Sequence, residues 1–454
     1  SNFGAGQFDL YHLDHHLCHQ VSTFYPSPFE RAAILTMDGA GEEATTVFSL
    51  GEGTKIHELK RVNLPHSLGQ FYASITAFLG FRVQSDEYKV MGMAPYGTPR
   101  YARFMREQIL VGQPHGEFIL NTSLLDYHAA RQGRFTDALL KVLGAPRGQA
   151  DDVDQRHMDI AASAQAAIEE QILASAQWLY EETRIPNLCI AGGVGLNCVA
   201  NGKIVTHTPF KQVYVQPASG DAGTALGAGL HLANEVAGVG RQAVMEHAYW
   251  GPQFSNEEAE SAATASGLAF QRLPEDQLCD QVAEALSQGK LVFWFQGRME
   301  WGPRALGNRS LLADPRRAEM REIINVKVKR REEFRPFAPA MLAESAAEYL
   351  TCSHPSPFML FAFTVKPEKV TVLPATTHVD HTARPQTVTQ SANPRFWRLI
   401  KAFESRTGVP VLLNTSFNVQ EPIVCTPNDA VACFLRTDVD ILVMSNVLVR
   451  RPVA

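Results

Sequence analysis

The chain has 454 residues, 45% hydrophobic and 19% charged, with a formal net charge of −6. That gives room for two or three domains of ordinary globular composition, and the acidic balance argues against a general nucleic-acid binder. No run of 18 or more apolar residues occurs and no charged-then-apolar leader is visible, so no membrane span is expected and the expected location is cytoplasmic.

Near its start the chain carries His15-His16-Leu17-Cys18-His19. His15 and His19 are four apart, which on a helix puts them on one face, one turn apart, where both imidazoles can reach one metal ion. His16 points off that face and reads as a packed neighbour. A lone H-x-x-x-H is a weak signal. It gains weight from Asp38, which follows the apolar run Ala32 to Met37, and from Asp221, which follows Val213 to Val215. Carboxylates in glycine turns at strand ends can converge on one cleft. Two histidines with aspartates form a ligand set for Fe, Mn or Zn rather than Ca.

Residues 31–63 read as a β-meander, with strands Ala32–Met37, Thr45–Leu50 and Ile56–Val62. Gly69 to Leu79 is predicted helical. Lys89 stands in Glu87-Tyr88-Lys89-Val90-Met91-Gly92, read either as a loop or as an anion site at a domain cleft. Residues 98–150 are a loop-rich insertion. Asp154 to Glu182 is the clearest helix, with apolar residues recurring every three or four positions. Leu188–Ala191 is a buried strand, and Gly192-Gly193-Val194-Gly195-Leu196-Asn197 turns from it into a helix around Val199–Val205. Such a turn leaves backbone N–H groups free for a phosphate or ribose. The strand Gln212–Val215 and the turn at Asp221 repeat the arrangement, as in a nucleotide-binding α/β lobe.

A composition shift near 236–250 marks a domain boundary, giving domains 1–240 and 241–454. Helices are predicted over Asn256–Ser266 and Leu278–Gln288, then a strand, Leu291–Phe295. From Arg298 to Arg335 eleven Lys/Arg stand against six Asp/Glu. Interleaved Gly, Pro and aromatic residues favour an anion pocket there over a solvated helix. Met320–Val328 is predicted helical, 351–395 loops, and Asn393–Arg406 helical. Val411–Leu413 is a strand, and Asn414–Asn418 after it a polar turn. Pro427–Leu435 is a helix, and Ile441–Met444 with Val447–Val449 a hairpin. The seven cysteines (18, 189, 198, 279, 352, 425, 433) lack C-x-x-C spacing and read as reduced thiols.

Ten ordered motifs, among them HHLCH at 15–19, MDGAGE at 37–42, YKVMGMAPYG at 88–97, AGGVGLNCVANGK at 191–203, WGPRALGNRSLLADPR at 301–316, VKRREEFRPFAPA at 328–340, HVDHTAR at 378–384 and LNTSFN at 413–418, span nearly the whole chain. Together they resemble the nodulation-protein-U/cephamycin (NodU/CmcH) type of ATP-dependent O-carbamoyltransferase. The resemblance implies an α/β fold: an actin-like ATPase domain of the threonylcarbamoyl-transfer type, then a YrdC-like domain. It implies that carbamoyl phosphate and ATP form carbamoyl-adenylate in the second domain, and that the first passes the carbamoyl group to a small-molecule hydroxyl beside an iron site.

Carried over by motif match, the metal ligands are His15, His19, Asp38 and Asp221, with Fe2+ or another divalent ion, and Mg2+ accompanying ATP. Arg304, Lys329, Arg335, Arg384, Asn414 and Ser416 match positions for carbamoyl phosphate and nucleotide phosphates. Lys89, Gly192, Gly193 and Asn197 complete the expected binding set, and His15, His19, Asp221 and Arg304 the expected catalytic set. No nucleic acid or membrane partner is expected, and a homodimer is compatible with the resemblance. The chain departs from the family in opening almost directly on the histidine motif, without about a hundred preceding residues, in His381 for the usual glycine and in Gln20 for alanine. Two other readings are a tRNA threonylcarbamoyl-transfer enzyme, which would want a basic RNA-binding face, and a non-catalytic metal- and nucleotide-binding scaffold, which would not need the 298–335 and 413–418 motifs.

Overall fold

The computed structural model describes residues 9–128 and 134–451, in a mixed α/β arrangement built on two main sheets. In the first sheet Arg31–Gly41, Ala44–Glu52 and Lys55–Asn63 form the expected antiparallel meander. The other edge of Arg31–Gly41 pairs in parallel with Asn187–Ala191, which pairs in parallel with Gln212–Val215. The central strand is buried without interruption from Ala32 to Met37. Successive strand residues face opposite ways, so both faces of this strand are covered, which suits an unbroken apolar run. The three strands 31–41, 187–191 and 212–215 run the same way, so their C-terminal ends all lie at one edge of the sheet. Asp38, the Gly192–Asn197 turn and Asp221 are therefore brought to a common place by topology alone.

The second sheet has eight strands in the order Gln386–Val388, Ala338–Leu342, Val411–Ser416, Arg309–Ala313, Val292–Phe295, Ile441–Met444, Val447–Arg450 and Phe270–Arg272. Alternate residues feed two cores. Phe293, Phe295, Leu311 and Leu413 lie on one side, Val292, Trp294, Leu312 and Leu412 on the other. The helix Pro394–Thr407 closes the second core through Phe396, Leu399, Ile400 and Phe403, spaced for one helical face. Asn393 caps its start and Gly408, at φ +72°, ends it.

The core of the first sheet runs on into the second half of the chain. Leu188, Ile204 and Tyr214 share one apolar cluster with Tyr349, Phe361, Phe363 and Leu373. Two hydrogen bonds reinforce the seam: Ala362 N donates to Cys198 O at 2.8 Å, and the Asn201 side chain donates through Nδ2 to Leu360 O at 3.0 Å. Among the described residues no helix is long and apolar enough to cross a membrane.

Several elements differ from the sequence expectation. Glu87–Met93 is a helix. Asn414, Thr415 and Ser416 belong to a strand rather than a polar turn, because Val411–Ser416 is hydrogen-bonded on both edges, to Arg309–Ala313 and Ala338–Leu342. Arg309–Ala313 lies inside the stretch read only as basic, and Ala338–Leu342 begins three residues beyond its end. Met320–Ile323 is α-helical and then widens into a π-type turn over Ile324–Lys329.

Candidate functional site

The histidine helix spans His15–Phe24. Asp14 caps it, its carboxylate accepting from Leu17 N at 2.8 Å, and this sets the phase that turns His15 and His19 to one side. Two glycines let neighbours close on it. A Cβ on Gly41 would stand 2.4 Å from the His15 ring, and one on Gly227 would stand 1.9 Å from the Cys18 carbonyl oxygen. The helix Thr224–His231 therefore lies hard against the histidine helix and brings Asp221, just before it, to the imidazoles.

One oxygen of Asp38, Oδ2, lies 2.8 Å from His19 Nε2 and 3.2 Å from His15 Nε2. The two Nε2 atoms are 3.0 Å apart. Asp221 Oδ1 lies 3.6 Å from His15 Nε2 and 3.8 Å from His19 Nε2. Each of the four residues thus offers one donor atom, and the four atoms lie within 4.8 Å of one another. The pocket is closed around His19, which is 0% exposed, and open at Asp221, which is 78% exposed. Two imidazole nitrogens and two carboxylate oxygens converging this closely would suit a first-row divalent metal, and the Asp221 side is open to solvent. The expected ligands are all brought together here.

The electrostatics are those of a carboxylate held ionised. Burial raises the Asp38 pKa, but hydrogen bonds to His15 and His19, the His19 charge and the Gly39 N–H outweigh it and hold the group well below the usual carboxylate range. The bond to Asp38 raises His15 in turn, against its own burial. His16 sits on the other side with Nδ1 2.8 Å from Thr36 Oγ1 and Nε2 3.2 Å from Ala44 O; burial pushes its pKa down to about 4. It is a packed neighbour, as its phase on the helix predicts.

The glycine turn passes directly over Asp38. Gly192, at φ +92°, could not carry a Cβ, which would fall 2.1 Å from Met37 O; a Cβ on Gly193 would stand 3.1 Å from Asp38 Oδ1. Asn197 is committed locally. Its Oδ1 accepts from Ala200 N, capping the helix Cys198–His207, and from Gln165 Nε2.

A second constellation lies at the far end of that turn. The loop carrying Arg304 is tied by Glu300, whose Oε1 accepts from Leu306 N (2.7 Å), Asn308 N (2.8 Å) and Arg309 N (3.1 Å). Arg304 is held with its Nε buried and without a hydrogen-bond partner among the described residues. Burial, then the neighbouring guanidinium of Arg384 and more weakly that of Arg335, bring its pKa down to about 9. Arg331 is also pushed down to about 9, by burial and then by Arg335, with Arg384 contributing. Arg304 and Arg331 each feel the positive charge of Arg335 and Arg384, and a grouping of guanidinium groups of this kind suits an anion. Cys198 feels the same charges: burial raises the thiol, and Arg384 and Arg304 pull it back.

Four predicted residues make contacts within the protein. Lys89 forms ion pairs with Asp86 (3.3 Å) and Glu332 (3.1 Å), joining its helix to the arginine segment. Lys329 is buried and donates to Ser416 O, Asn418 O and Asn418 Oδ1, so it builds the 416–418 corner. Ser416 Oγ donates to Asn418 Oδ1 at 2.7 Å. Arg335 stacks over the Tyr88 ring, 4.7 Å from its centroid. Arg331 and Cys198 were missed from sequence. Arg331 stood inside a quoted basic motif beside Lys329, but its burial was invisible; Cys198 carried no signal, since a lone cysteine has none.

The two constellations share one short connector. Gly193 abuts Asp38, and Cys198 lies within the field of Arg304 and Arg384. Five residues can span at most about 18 Å, so the Cα atoms at its two ends are no farther apart than that.

Comparison with known proteins adds to this geometry. Residues 6–230 match a family model described as carbamoyltransferase N-terminus, and residues 283–451 one described as carbamoyltransferase C-terminus. The chain is 44% identical over 465 residues to an uncharacterized protein of Synechocystis sp., an alignment covering 95% of this chain and 75% of the relative. It is 41% identical over 446 residues to nodulation protein NolO of Bradyrhizobium diazoefficiens, covering 97% of this chain and 79% of the relative. A shorter match, 38% identical over 231 residues, relates it to the 3'-hydroxymethylcephem-O-carbamoyltransferase of Amycolatopsis lactamdurans, covering 51% and 42%.

Proposed function

Because this chain belongs to the carbamoyltransferase family and is a carbamoyltransferase enzyme, we propose that it moves a carbamoyl group from carbamoyl phosphate to the hydroxyl of a small-molecule acceptor, with ATP as co-substrate. Water cleaves carbamoyl phosphate to carbamate and phosphate, and a carbamate oxygen then attacks the α-phosphorus of ATP and displaces pyrophosphate, giving carbamoyl-adenylate. The acceptor hydroxyl then attacks the carbamoyl carbon and displaces AMP. In this reading residues 241–454 form the adenylate-making, YrdC-like domain and residues 1–240 the actin-like transfer domain. The acceptor class is suggested by the names of relatives that act in nodulation or on a hydroxymethylcephem.

The observation that carries the reading is the pairing of a four-donor cluster with a group of arginines across a short connector; among the described residues only Arg335 of these has a carboxylate partner, Glu332 at 3.6 Å. Carbamoyl phosphate and ATP are both polyanions, and bringing them together requires fixed cations. Arg304, Arg331, Arg335 and Arg384 supply them. Half-buried guanidinium groups in one another's field gain when an anion arrives. His15, His19, Asp38 and Asp221 would hold an iron(II) or another divalent ion, and Mg2+ would accompany ATP. The bound metal supplies Lewis-acid polarisation of a reacting oxygen. Around it, Asp38 fixes both imidazoles, and Asp221, on the open side, stands where the acceptor must enter.

The test tracks pyrophosphate from ATP with and without carbamoyl phosphate, and then transfer of labelled carbamoyl to hydroxyl compounds of the nodulation-factor and cephem types. Carbamoyl-phosphate-dependent pyrophosphate is the expected result. Pyrophosphate formed equally without carbamoyl phosphate, or none at all, would overturn the reading.

A further inference from the structure

The arginine group has a carboxylate of its own within reach. Among the described residues Glu332 is the one acidic side chain paired with any of Arg304, Arg331, Arg335 and Arg384, and the pairing is loose: its Oε2 lies 3.6 Å from Arg335 Nη1. A charge-assisted bond between such groups closes to about 2.7–2.9 Å. Glu332 Oε2 is buried and finds no hydrogen-bond partner among the described residues, an unfavourable state for a carboxylate oxygen. Both residues sit in one turn, with Arg335 N donating to Glu332 O at 3.2 Å. A movement of about 1 Å would therefore complete the pair. It would also occupy the guanidinium that an incoming anion needs.

The opposing pull comes from the helix Glu87–Met93. Lys89 Nζ lies 3.1 Å from Glu332 Oε1, the other oxygen of the carboxylate, and 3.3 Å from Asp86 Oδ2. Asp86 is itself held, its Oδ2 accepting from Arg82 N at 3.2 Å. Tyr88, the residue before Lys89, carries the Arg335 guanidinium on its ring, 4.7 Å from the centroid. Two consecutive residues of one helix thus hold the two halves of the loose pair. An ammonium at one end of a carboxylate leaves it less available to a guanidinium at the other. Glu332 has room to turn, since its side chain is 33% exposed and lines, with Lys89 and Arg147, a cavity of about 490 Å³.

We propose that Lys89 is a positioning residue: by drawing Glu332 aside it keeps Arg335 open to the substrate anion, and Glu332 is the internal carboxylate that closes on Arg335 when Lys89 is lost. The inference rests on the function proposed above. It gives Lys89 a part different from the direct anion contact that its charge suggests in the sequence, because the lysine acts by restraining a competitor. Loss of the lysine is then repaired by removing an acid, an outcome that a direct contact does not allow.

The experiment measures carbamoyl-phosphate-dependent pyrophosphate formation by the full chain at saturating ATP. KM for carbamoyl phosphate and kcat are determined separately for wild type, Lys89→Met, Lys89→Arg, Glu332→Gln and the double variant Lys89→Met/Glu332→Gln. Lys89→Met is expected to raise KM about tenfold and to leave kcat within about twofold, a coupling of the size found between touching charged residues. Lys89→Arg keeps the pull on Glu332 and should stay within about threefold of wild type. Glu332→Gln removes the competitor and should lower KM by about threefold. The double variant should return KM to within about threefold of wild type. If Lys89→Met fails to fold, the fall in KM of Glu332→Gln carries the test.

A double variant as weak as Lys89→Met would show that Lys89 meets the anion itself or only packs, and would overturn the proposal. So would an unchanged KM in Lys89→Met, or a KM that is unchanged or raised in Glu332→Gln. Each of these results, obtained with an active wild type, overturns this inference alone. A wild type that forms no carbamoyl-phosphate-dependent pyrophosphate would overturn the function on which it rests, and the inference with it.

Discussion

His19 Nε2 lies 2.8 Å from Asp38 Oδ2, at the fully buried end of the donor cluster. Both groups are carried by elements that pack directly on each other, the histidine helix and the central strand of the first sheet. The contact is thus a property of the fold's centre rather than of a loop, and it identifies His19 as the anchor of the cluster.

His19→Ala should abolish stable metal retention and reduce carbamoyl transfer by at least about 100-fold, in line with the loss of one strong catalytic interaction. Pyrophosphate formation should stay within about twofold of wild type, because the arginine cluster is untouched. Metal content by mass spectrometry and the two half-reactions measured separately check this. Wild-type transfer in a metal-free variant would refute the role given to the cluster.

Arg304→Ala should lower carbamoyl-phosphate-dependent pyrophosphate formation by roughly 100- to 1,000-fold. Arg304→Lys should recover little of it, because a single ammonium cannot replace a planar, two-pronged donor. Metal content should be unchanged in both. A lysine variant with near-normal activity would mean that Arg304 acts only as a point charge.

Gly227→Ala tests whether the approach of two helices positions Asp221. The added methyl would meet the Cys18 carbonyl. Overpacking of this kind typically costs about 1–3 kcal/mol. Chemical denaturation should show that loss, and metal affinity should fall along with it even though no ligand has been changed. A destabilised variant that binds metal as tightly as wild type would separate the packing from the site.

Stability should fall on acidification partly through His378. Its Nδ1 lies 3.2 Å from Thr382 Oγ1, and burial, aided by Arg384 and opposed by Asp380, pushes its pKa down to about 4. Its unfolded value is about 6.5, so below pH 6.5 the unfolded chain takes up a proton that the folded chain refuses. The contribution is fully present above pH 6.5 and is lost as pH falls toward 4, at about 1.4 kcal/mol per pH unit. Melting curves across that range should be steeper for wild type than for His378→Asn. Identical slopes would show the ring to be accessible to protons.

Much of the four-residue donor cluster was legible in the sequence because its logic is local. Four-residue spacing sets a helix face, and a carboxylate after an apolar run sits at a strand end. The convergence of Asp38 with Asp221 needed the parallel register of the first sheet, which the two strand–turn–helix units anticipated. The second half was harder. Asn414 and Ser416 read as a turn because polar side chains at a binding site disguise a strand that is paired on both edges. Glu87–Met93 read equally as a loop because its charged residues face an ion-pair partner in the other half of the chain, Glu332. Lys89 and Lys329 matched the expected phosphate set by charge, yet both are bound to protein groups, a distinction that depends on burial and partners. Arg331, the cation that burial singles out, has no sequence mark to set it apart from Arg330.

The apolar seam joining Leu188, Ile204 and Tyr214 to Tyr349, Phe361 and Phe363 bears on how such a chain could be recombined. Although two sheets suggest two exchangeable modules, a breakpoint near residue 240 would leave each half with an uncovered greasy flank cut to fit its own former companion. Hybrids assembled from different relatives should therefore be soluble only when the strip around 346–373 travels with the Cys198–His207 helix that it covers. Natural shuffling of acceptor preference would then be confined to surface loops, with both halves inherited together.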